Sequence, residues 1–420
     1  MELDQSICRY TIGWICALAI EYVAARQSLD IEHDRSGIVA QPGDSNSYTF
    51  GSIASHNVVI AVMPSGKYGL TSAAIVARDI FRSVLHLRIG LMVGIGGGAP
   101  TATHEIRLGD VVVSAPGSGR GGVYQYNFGK AVQGRGFQSS GSLREPPTFV
   151  LATIAEPAAR LEEDDVDLNA DVDVDVLLSR RPNLRQNYAQ PDKRSDVLYH
   201  ETYVHPNPDA DCSETCFAHE NAIVPRNSRR SGHLNPVVHY GSIASANQVM
   251  KDSTIRTRIA DETGILCFEM EAAGLMDQIP SLVIRGICDY ADSHKNKRWQ
   301  GYAAMTAAAY ARRLLLGLSS VAPEQELVPF DLPGLDVSQR RGSVQQPRRR
   351  VIIPVTQNPH FTGRDGILET ISTMLSVCDE VQTRVALIGM GGVGKTEIAR
   401  AFINSPMAII TFSSVLWDFA

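Results

Sequence analysis

Between residues 11 and 318 short apolar runs alternate with segments of helical periodicity. The runs are "YTIGWICAL", "NVVIAVMP", "IGLMVGIGG", "GDVVVSAP" and "SLVIRGICD", and the helical segments include "TSAAIVARDIFRSVL" and the Ala-rich stretch 302–316. Strands that are apolar at successive positions must be covered on both faces, and helices interleaved with them supply the cover. This alternation predicts an α/β domain built on a largely parallel or mixed sheet.

The chain has 420 residues, enough for two or three domains with cores of their own. With 44% hydrophobic residues, 20% charged residues and a net charge of -6, it has the balance of an ordinary globular protein. Neither a nucleic-acid surface nor a membrane surface is expected. No apolar run reaches 18 residues, and "AAMTAAAYARRLLLGL" is interrupted by Arg312 and Arg313, so it reads as amphipathic. The opening "MELDQSICRY" lacks a basic segment ahead of an apolar one, and no secretory signal is read there. Seven scattered cysteines form no disulfide framework, which fits a reducing compartment, and a cytoplasmic protein is expected.

Three stretches interrupt the α/β pattern. "LEEDDVDLNADVDVDV" places Asp171, Asp173 and Asp175 like the start of a calcium loop, but Val176 and Pro182 stand where glycine and glutamate are required. It reads as a solvated insert. "CSETCFAHE" offers Cys212, Cys216 and His219 but no fourth ligand at metal spacing, so no metal is expected. Residues 319–350 lose periodicity and gather Pro, Gln and Arg, as linkers do. The expected division is therefore a domain over 1–318, a linker over 319–350 and a second α/β segment over 351–420.

In that last segment "VALIGM" runs into "GMGGVGKT" and then the helical "EIARAF". The spacing G-x-x-x-x-G-K-T between a strand and a helix is that of a phosphate loop. Gly389, Gly391, Gly392 and Gly394 would let backbone N–H groups converge on phosphate oxygens. Lys395 would reach the outer phosphates and Thr396 would coordinate Mg²⁺, with ATP or ADP as the nucleotide. Together with "FTGRDGIL", these residues resemble the start of the NB-ARC or NACHT-type module of STAND ATPases over about 70 residues. Only 24 residues follow the loop here and no later acidic Mg²⁺ ligand is present, so hydrolysis by this segment is not expected.

"FEMEAAG" (268–274) raises a separate question, because it sets Glu269 and Glu271 at the start of what reads as an apolar helical stretch. Glutamate is rarely buried unless paired or used. One of the two is expected to face a pocket, and Glu269 to be its solvated or salt-bridged neighbour.

The ordered set "IGWICALAIEYVAA", "MPSGKYGLTSAAIVA", "VGIGGGAP", "IRLGDVVVS", "FEMEAAG" and "IRGICDYAD" resembles the nucleoside phosphorylase/hydrolase superfamily. Within it the set is most similar to the methylthioadenosine/S-adenosylhomocysteine nucleosidases. The resemblance implies an α/β sandwich with a mixed central sheet, followed by the linker and the truncated P-loop segment. It also implies a small purine nucleoside or nucleotide as partner, a homo-oligomer, and no cofactor for the first domain. The fusion of two such segments resembles fungal NLR-like receptors, with the first domain as effector.

By that resemblance Asp289 protonates purine N7 and Glu21 activates water. Glu271 accepts the ribose hydroxyls, Met270 packs on the sugar, Arg285 lies near the water, and Gly96 and Gly97 allow close backbone approach. Each role has a structural competitor. Asp289 could cap its strand and leave Asp292 as the acid, Glu271 could be a helix N-terminal charge, and Glu21 could be a surface helix residue. Phosphorylases of the superfamily hold phosphate with an arginine where this chain has Met92 and Val93, so hydrolysis is favoured over phosphorolysis. A nucleoside-binding sensor with little turnover is the reading from another class. Two departures bear on substrate. Ile95 replaces a small hydroxyl residue, and Ala244, Ser245 and Asn247 stand where a base-stacking phenylalanine is usual. Lys193, Arg194, Arg226, Arg229 and Arg230 are read as solvated charge, with contact to a 5′-phosphate as the alternative.

Overall fold

The computed structural model describes residues 9–34, 41–84, 86–117, 121–134, 136–139, 143, 145–162, 174–179, 181–207, 210–216, 220–227, 229, 236–276, 281–295 and 297–318. Beyond these it describes only 350–352, 366–368, 370, 398, 402 and 414–416. The chain divides into two compact units, Glu2–Leu327 and Val328–Ala420.

The first unit carries twelve strands among its described residues. In chain order they are β1 (Ile12–Cys16), β2 (Ile31–His33), β3 (Ser47–Ile53), β4 (His56–Val62), β5 (Ile89–Gly98), β6 (Val111–Ser114), β7 (Val123–Gln125), β8 (Gly129–Val132), β9 (Gly136–Ser139), β10 (Val238–Ser245), β11 (Ile265–Glu269) and β12 (Ser281–Asp289). Ten of them form one sheet in the order β11-β10-β6-β12-β5-β1-β4-β3-β2, with β7 on β10, while β8 and β9 make a separate hairpin. β1, β4, β5 and β12 run parallel, whereas β12–β6, β3–β4 and β2–β3 are antiparallel. The sheet is mixed, as expected. The far end of β5 also pairs antiparallel with β11, which closes β11, β10, β6, β12 and β5 into a ring.

Among the described residues nine α-helices accompany these strands. They are α1 (Ala19–Gln27), α2 (Leu70–Ser83), α3 (Thr148–Glu162), α4 (Val174–Ser179), α5 (Arg185–Tyr188), α6 (Cys212–Thr215), α7 (Ser253–Thr263), α8 (Ala272–Met276) and α9 (Gln300–Gly317). The apolar runs work on both faces of the sheet. Ile12, Trp14, Leu91, Val93 and Ile284 join one core cluster with α1 and α9. Ile15, Val59, Met92, Val283 and Ile287 join a second cluster with α2 and α8. The alternation along each strand assigns successive residues to opposite cores.

Three local readings are revised. The Ala-rich helix α9 is buried on nearly every side from Gly301 to Ala311, not amphipathic along its length. Its small side chains let it sit so close to β12 that a Cβ on Gly286 would lie 1.8 Å from the Ala303 carbonyl oxygen. Arg312, at its far end, donates to the Ser28 carbonyl and the Asp30 carboxylate. "FEMEAAG" is not helical at its start: Phe268 and Glu269 finish β11, and only from Ala272 does α8 begin. Arg226 and Arg229 are not solvated, because Arg226 pairs with Asp196 and Arg229 with the buried Asp110. Arg194 does stay exposed beside Asp192.

In the second unit Arg350–Ile352 pairs in parallel with Ser414–Leu416. The phosphate-loop positions Gly389, Gly391, Gly392, Gly394, Lys395 and Thr396 lie outside the described residues, as do Asp171, Asp173, His219 and Arg230. Among the described residues no helix is long and apolar enough to cross a membrane.

Candidate active site

The carboxyl ends of β1, β5 and β12 meet the end of β11 around a cavity of about 400 Å³. That placement follows the general rule that α/β sheets bind ligands beyond the carboxyl ends of their strands. Register explains the convergence: Gly97 lies opposite Asp289 on one side and opposite Phe268 on the other. A side chain at Gly97 would strike Asp289 Oδ1 at 2.7 Å and Ala291 Cβ at 2.9 Å, so glycine is required for the strands to close.

Glu21 reaches the cavity from the first turn of α1. Its Oε2 accepts the Ala17 and Leu18 N–H groups at 2.7 and 2.9 Å, and Oε1 accepts the Ile95 N–H at 2.9 Å. The residue is buried, only 3% exposed, so the surface-helix alternative fails. Burial raises its carboxyl above the ordinary range, although Arg285 and the three N–H groups pull the other way. Gly94 makes room for it, since a Cβ there would lie 2.2 Å from Glu21 Oε1 and 2.6 Å from Arg285 Nη1.

Glu269 and Glu271 share the guanidinium of Arg285. Glu269 forms an ion pair with Arg285 Nη2 and accepts the Glu271 and Ala272 N–H groups, which fastens the start of α8. It is salt-bridged, as one alternative held, but buried at 6% exposure, so the solvated alternative is wrong. Glu271 Oε2 lies 3.5 Å from Arg285 Nη2. Burial, reinforced by the charges of Glu269 and Glu21 and opposed by Arg285 and the Gly69 N–H, pushes the Glu271 carboxyl up to about 7. Three carboxyls thus surround one cation, and a proton is favoured on the cluster near neutrality.

Arg285 is the clearest correction among the substrate-binding expectations. It is fully buried beneath the acids and does not line the cavity. Its Nη1 stands 4.0 Å from Glu21 Oε1, and Nη1 and Nε have no hydrogen-bond partner among the described residues. Burial disfavours its charge, but the three glutamates outweigh burial and raise its pKa. It acts on the site through the acids.

Asp289, at the end of β12, does line the cavity. Lys295 Nζ donates to both its oxygens, at 2.8 and 2.9 Å, and the Ala291 N–H donates to Oδ1 at 2.8 Å. Burial disfavours the Lys295 ammonium, but Asp289 and Cys288 outweigh this and raise its pKa. The rival acid Asp292 lies outside this cavity, accepting the His294 N–H at 2.9 Å and facing Arg256 at 3.8 Å. Met270, Gly96 and Gly97 are in the wall.

Sequence reasoning missed Lys295, Phe268 and Tyr68, all of which line the cavity. Phe268 was legible only through its register with Gly97. It supplies an aromatic wall from β11, while Ser245 and Asn247 serve the backbone by accepting the Ala273 and Leu70 N–H groups. The lysine follows Asp289 by six residues, a spacing that only the turn geometry makes meaningful.

Away from the cavity, the half-site at Cys212 and Cys216 is completed by one residue shortly upstream and one distant in sequence. His205 and His294 join the two thiols, with one ligand atom from each of the four residues within 4.8 Å of the others. The expectation that no fourth ligand exists is therefore corrected. Sequence spacing cannot show a ligand that arrives from the turn after β12.

The Phosphorylase superfamily profile matches residues 11–317, which carry the whole cavity. The chain belongs to the phosphorylase superfamily. A nucleotide-binding leucine-rich repeat (NLR)-like protein of Hyaloscypha variabilis is 40% identical over 394 residues, covering 93% of this chain and 36% of its own length. The chain thus spans about a third of that relative. Among solved structures, a mutant of the Helicobacter pylori MTAN with 5′-methylthioadenosine in the active site is 13% identical, at a TM-score of 0.47, over 74% of this chain and 99% of that one. The futalosine hydrolase of Helicobacter pylori is 15% identical, at a TM-score of 0.46, over 74% and 99%.

Proposed function

We propose that this superfamily domain hydrolyses the N-glycosidic bond of a purine nucleoside or nucleotide. The observation that carries the reading is the convergence of Glu21, Glu271 and Asp289 on one cavity of about 400 Å³, with an aromatic wall. A space of that size suits a single small ligand. Asp289 donates a proton at purine N7 as the bond from the anomeric carbon to the base nitrogen breaks and its electron pair moves to the base. Lys295, bound to both Asp289 oxygens, holds that carboxyl in place, and the proton that Glu21 takes from water restores the Asp289 proton through solvent. Water adds to the anomeric carbon and gives its proton to Glu21, whose raised pKa makes its ionised form a stronger base. Glu271 accepts the ribose hydroxyls, and Met270 covers the sugar. The products are the free base and the free sugar.

Hydrolysis is preferred to phosphorolysis because the strand position that would carry a phosphate-binding arginine holds Met92, which is buried in the core. Lys251 and Lys297 at the exposed edge of the cavity support a nucleotide substrate beside the nucleoside, with its 5′-phosphate against them. The likeness to an NLR-like relative supports a role as effector of a nucleotide-regulated protein. In that arrangement residues 1–318 form the catalytic domain, 319–350 the linker and 351–420 a nucleotide-binding segment, with ATP or ADP and Mg²⁺ at Gly389–Thr396.

The test is to incubate the purified chain with adenosine, 5′-methylthioadenosine or AMP, with and without phosphate, and to measure free adenine and sugar. Free sugar in both conditions is expected. Ribose-1-phosphate formed only with phosphate would overturn hydrolysis in favour of phosphorolysis. Tight nucleoside binding with no product would make the domain a sensor.

A further inference from the structure

We infer that His205, Cys212, Cys216 and His294 bind a structural zinc ion that ties the 199–216 segment to the turn carrying the candidate proton donor. Two thiols and two imidazoles are a donor set for tetrahedral zinc, and the Cys212–Cys216 spacing of three intervening residues is within the usual range. In a tetrahedron with zinc–sulfur and zinc–nitrogen bonds of about 2.3 and 2.0 Å, neighbouring ligand atoms stand about 3.5 Å apart. His294 Nδ1 lies 3.7 Å from Cys216 Sγ and 3.9 Å from Cys212 Sγ. These separations are within reach of hydrogen bonds to sulfur and equally suit ligands to one ion.

The surroundings favour the same reading. His294 Nε2 lies 3.0 Å from the Tyr203 carbonyl oxygen. A carbonyl only accepts, so Nε2 carries the hydrogen and the Nδ1 lone pair faces the two sulfurs. This is the way metal-bound histidines are held, with the outer nitrogen donating to backbone or carboxylate. His205 is more than nine-tenths buried, and its Nδ1 has no hydrogen-bond partner among the described residues. A buried polar nitrogen left without a partner is destabilising, and a metal bond removes that penalty. Tyr199 stacks on the His294 ring with centroids 4.1 Å apart and closes the site on one side.

The ion sits beside the cavity and not in it. His294 precedes Lys295, the partner of Asp289, and its own N–H is bound by Asp292. Fixing the His294 ring therefore fixes where Lys295 emerges. The role of the metal is positional: none of its four ligands lines the cavity that holds Glu21, Glu271 and Asp289. The ion-binding claim stands on these residues alone, and only its effect on turnover rests on the proposed hydrolysis.

The test begins with the full chain purified without chelator and analysed by plasma mass spectrometry. One zinc ion per folded chain is expected, released to a colorimetric indicator when the thiols are modified. Cys216→Ser and His294→Ala should each lose the ion and lower the melting temperature. Because these variants can fail to fold, the wild-type chain is also stripped and reloaded with Co²⁺. Thiolate-to-cobalt charge transfer with the intense visible absorption of a tetrahedral centre is expected. A folded wild-type chain without zinc that gains no such spectrum from Co²⁺ would overturn the proposal. So would a Cys212–Cys216 disulfide in the freshly purified protein. Zinc content and the cobalt spectrum read the site even if the chain cleaves no nucleoside.

Discussion

At the scale of single residues the cavity contains two different uses of a carboxylate. Asp289 is held by the Lys295 ammonium, whereas Glu271 is one of three acids around the single buried Arg285. Asp289→Asn keeps the shape of the side chain and removes the transferable proton, so turnover should fall roughly 10²–10⁴-fold with little change in ligand binding, measured by free-base release and by titration. Full activity in that variant would remove Asp289 from the reaction. Lys295→Ala should fall between the wild type and Asp289→Asn, because the acid itself remains. Glu271 gives a prediction in pH. Its carboxyl is raised from an ordinary 4.5 to about 7, so between those values the folded chain binds more protons than the unfolded chain. Stability must then fall as pH rises through that window, by about 3 kcal/mol at most from this group. Glu271→Gln carries no charge to bury, so chemical denaturation at pH 5 and pH 8 should show that share of the fall missing from the variant. Parallel pH profiles would show that the cluster does not hold the proton. Above pH 7, where Glu271 is ionised, the same variant should bind ribose more weakly than the wild type, since each hydrogen bond to a charged acceptor contributes about 1.5–3 kcal/mol.

At the scale of elements, the strands were legible because their apolar runs follow directly from burial on both faces. The acids were legible because glutamate in an apolar run demands a partner. The boundary inside "FEMEAAG" was not, because sequence periodicity cannot show that β11 pairs with the end of β5 and stops at Glu269. Nor could spacing show that Arg285 points beneath the cavity, or that Arg229 reaches the buried Asp110 across 119 residues. The place of Arg285 depends on a close approach that Gly94 permits. Gly286→Ala puts a Cβ 1.8 Å from the Ala303 backbone oxygen, and neither β12 nor α9 can give way cheaply. It should destabilise the domain by about 1–3 kcal/mol or more in urea titration. Gly94→Ala meets the Glu21 carboxylate and Arg285 instead of backbone, so it should reduce turnover more than stability. If Gly94→Ala melted far below the wild type while the surviving protein turned over normally, the role given to Glu21 would fail.

At the scale of the whole molecule, the profile match ends at residue 317, α9 ends at Gly317 and the compact unit extends to Leu327. The Leu318 carbonyl is 3.0 Å from His56 Nε2, which fastens the end of α9 to the start of β4. Every described residue of the cavity, and all three core clusters around it, belong to this one unit. No described part of the site waits on a residue beyond Leu327. A fragment ending there should therefore fold, melt cooperatively within a few degrees of the full chain, and release free base at the same rate per active site. The alternative is a domain whose turnover depends on the segment that follows, as a nucleotide-regulated effector would require of the longer protein. Adding ATP or ADP distinguishes the two in one experiment. Equal rates for the fragment and the full chain, with or without nucleotide, place all of the catalytic machinery in residues 1–327. A nucleotide effect seen in the full chain, absent from the fragment and abolished by Lys395→Ala would instead show that the phosphate loop controls the domain. A fragment that fails to fold would refute the independence of the unit.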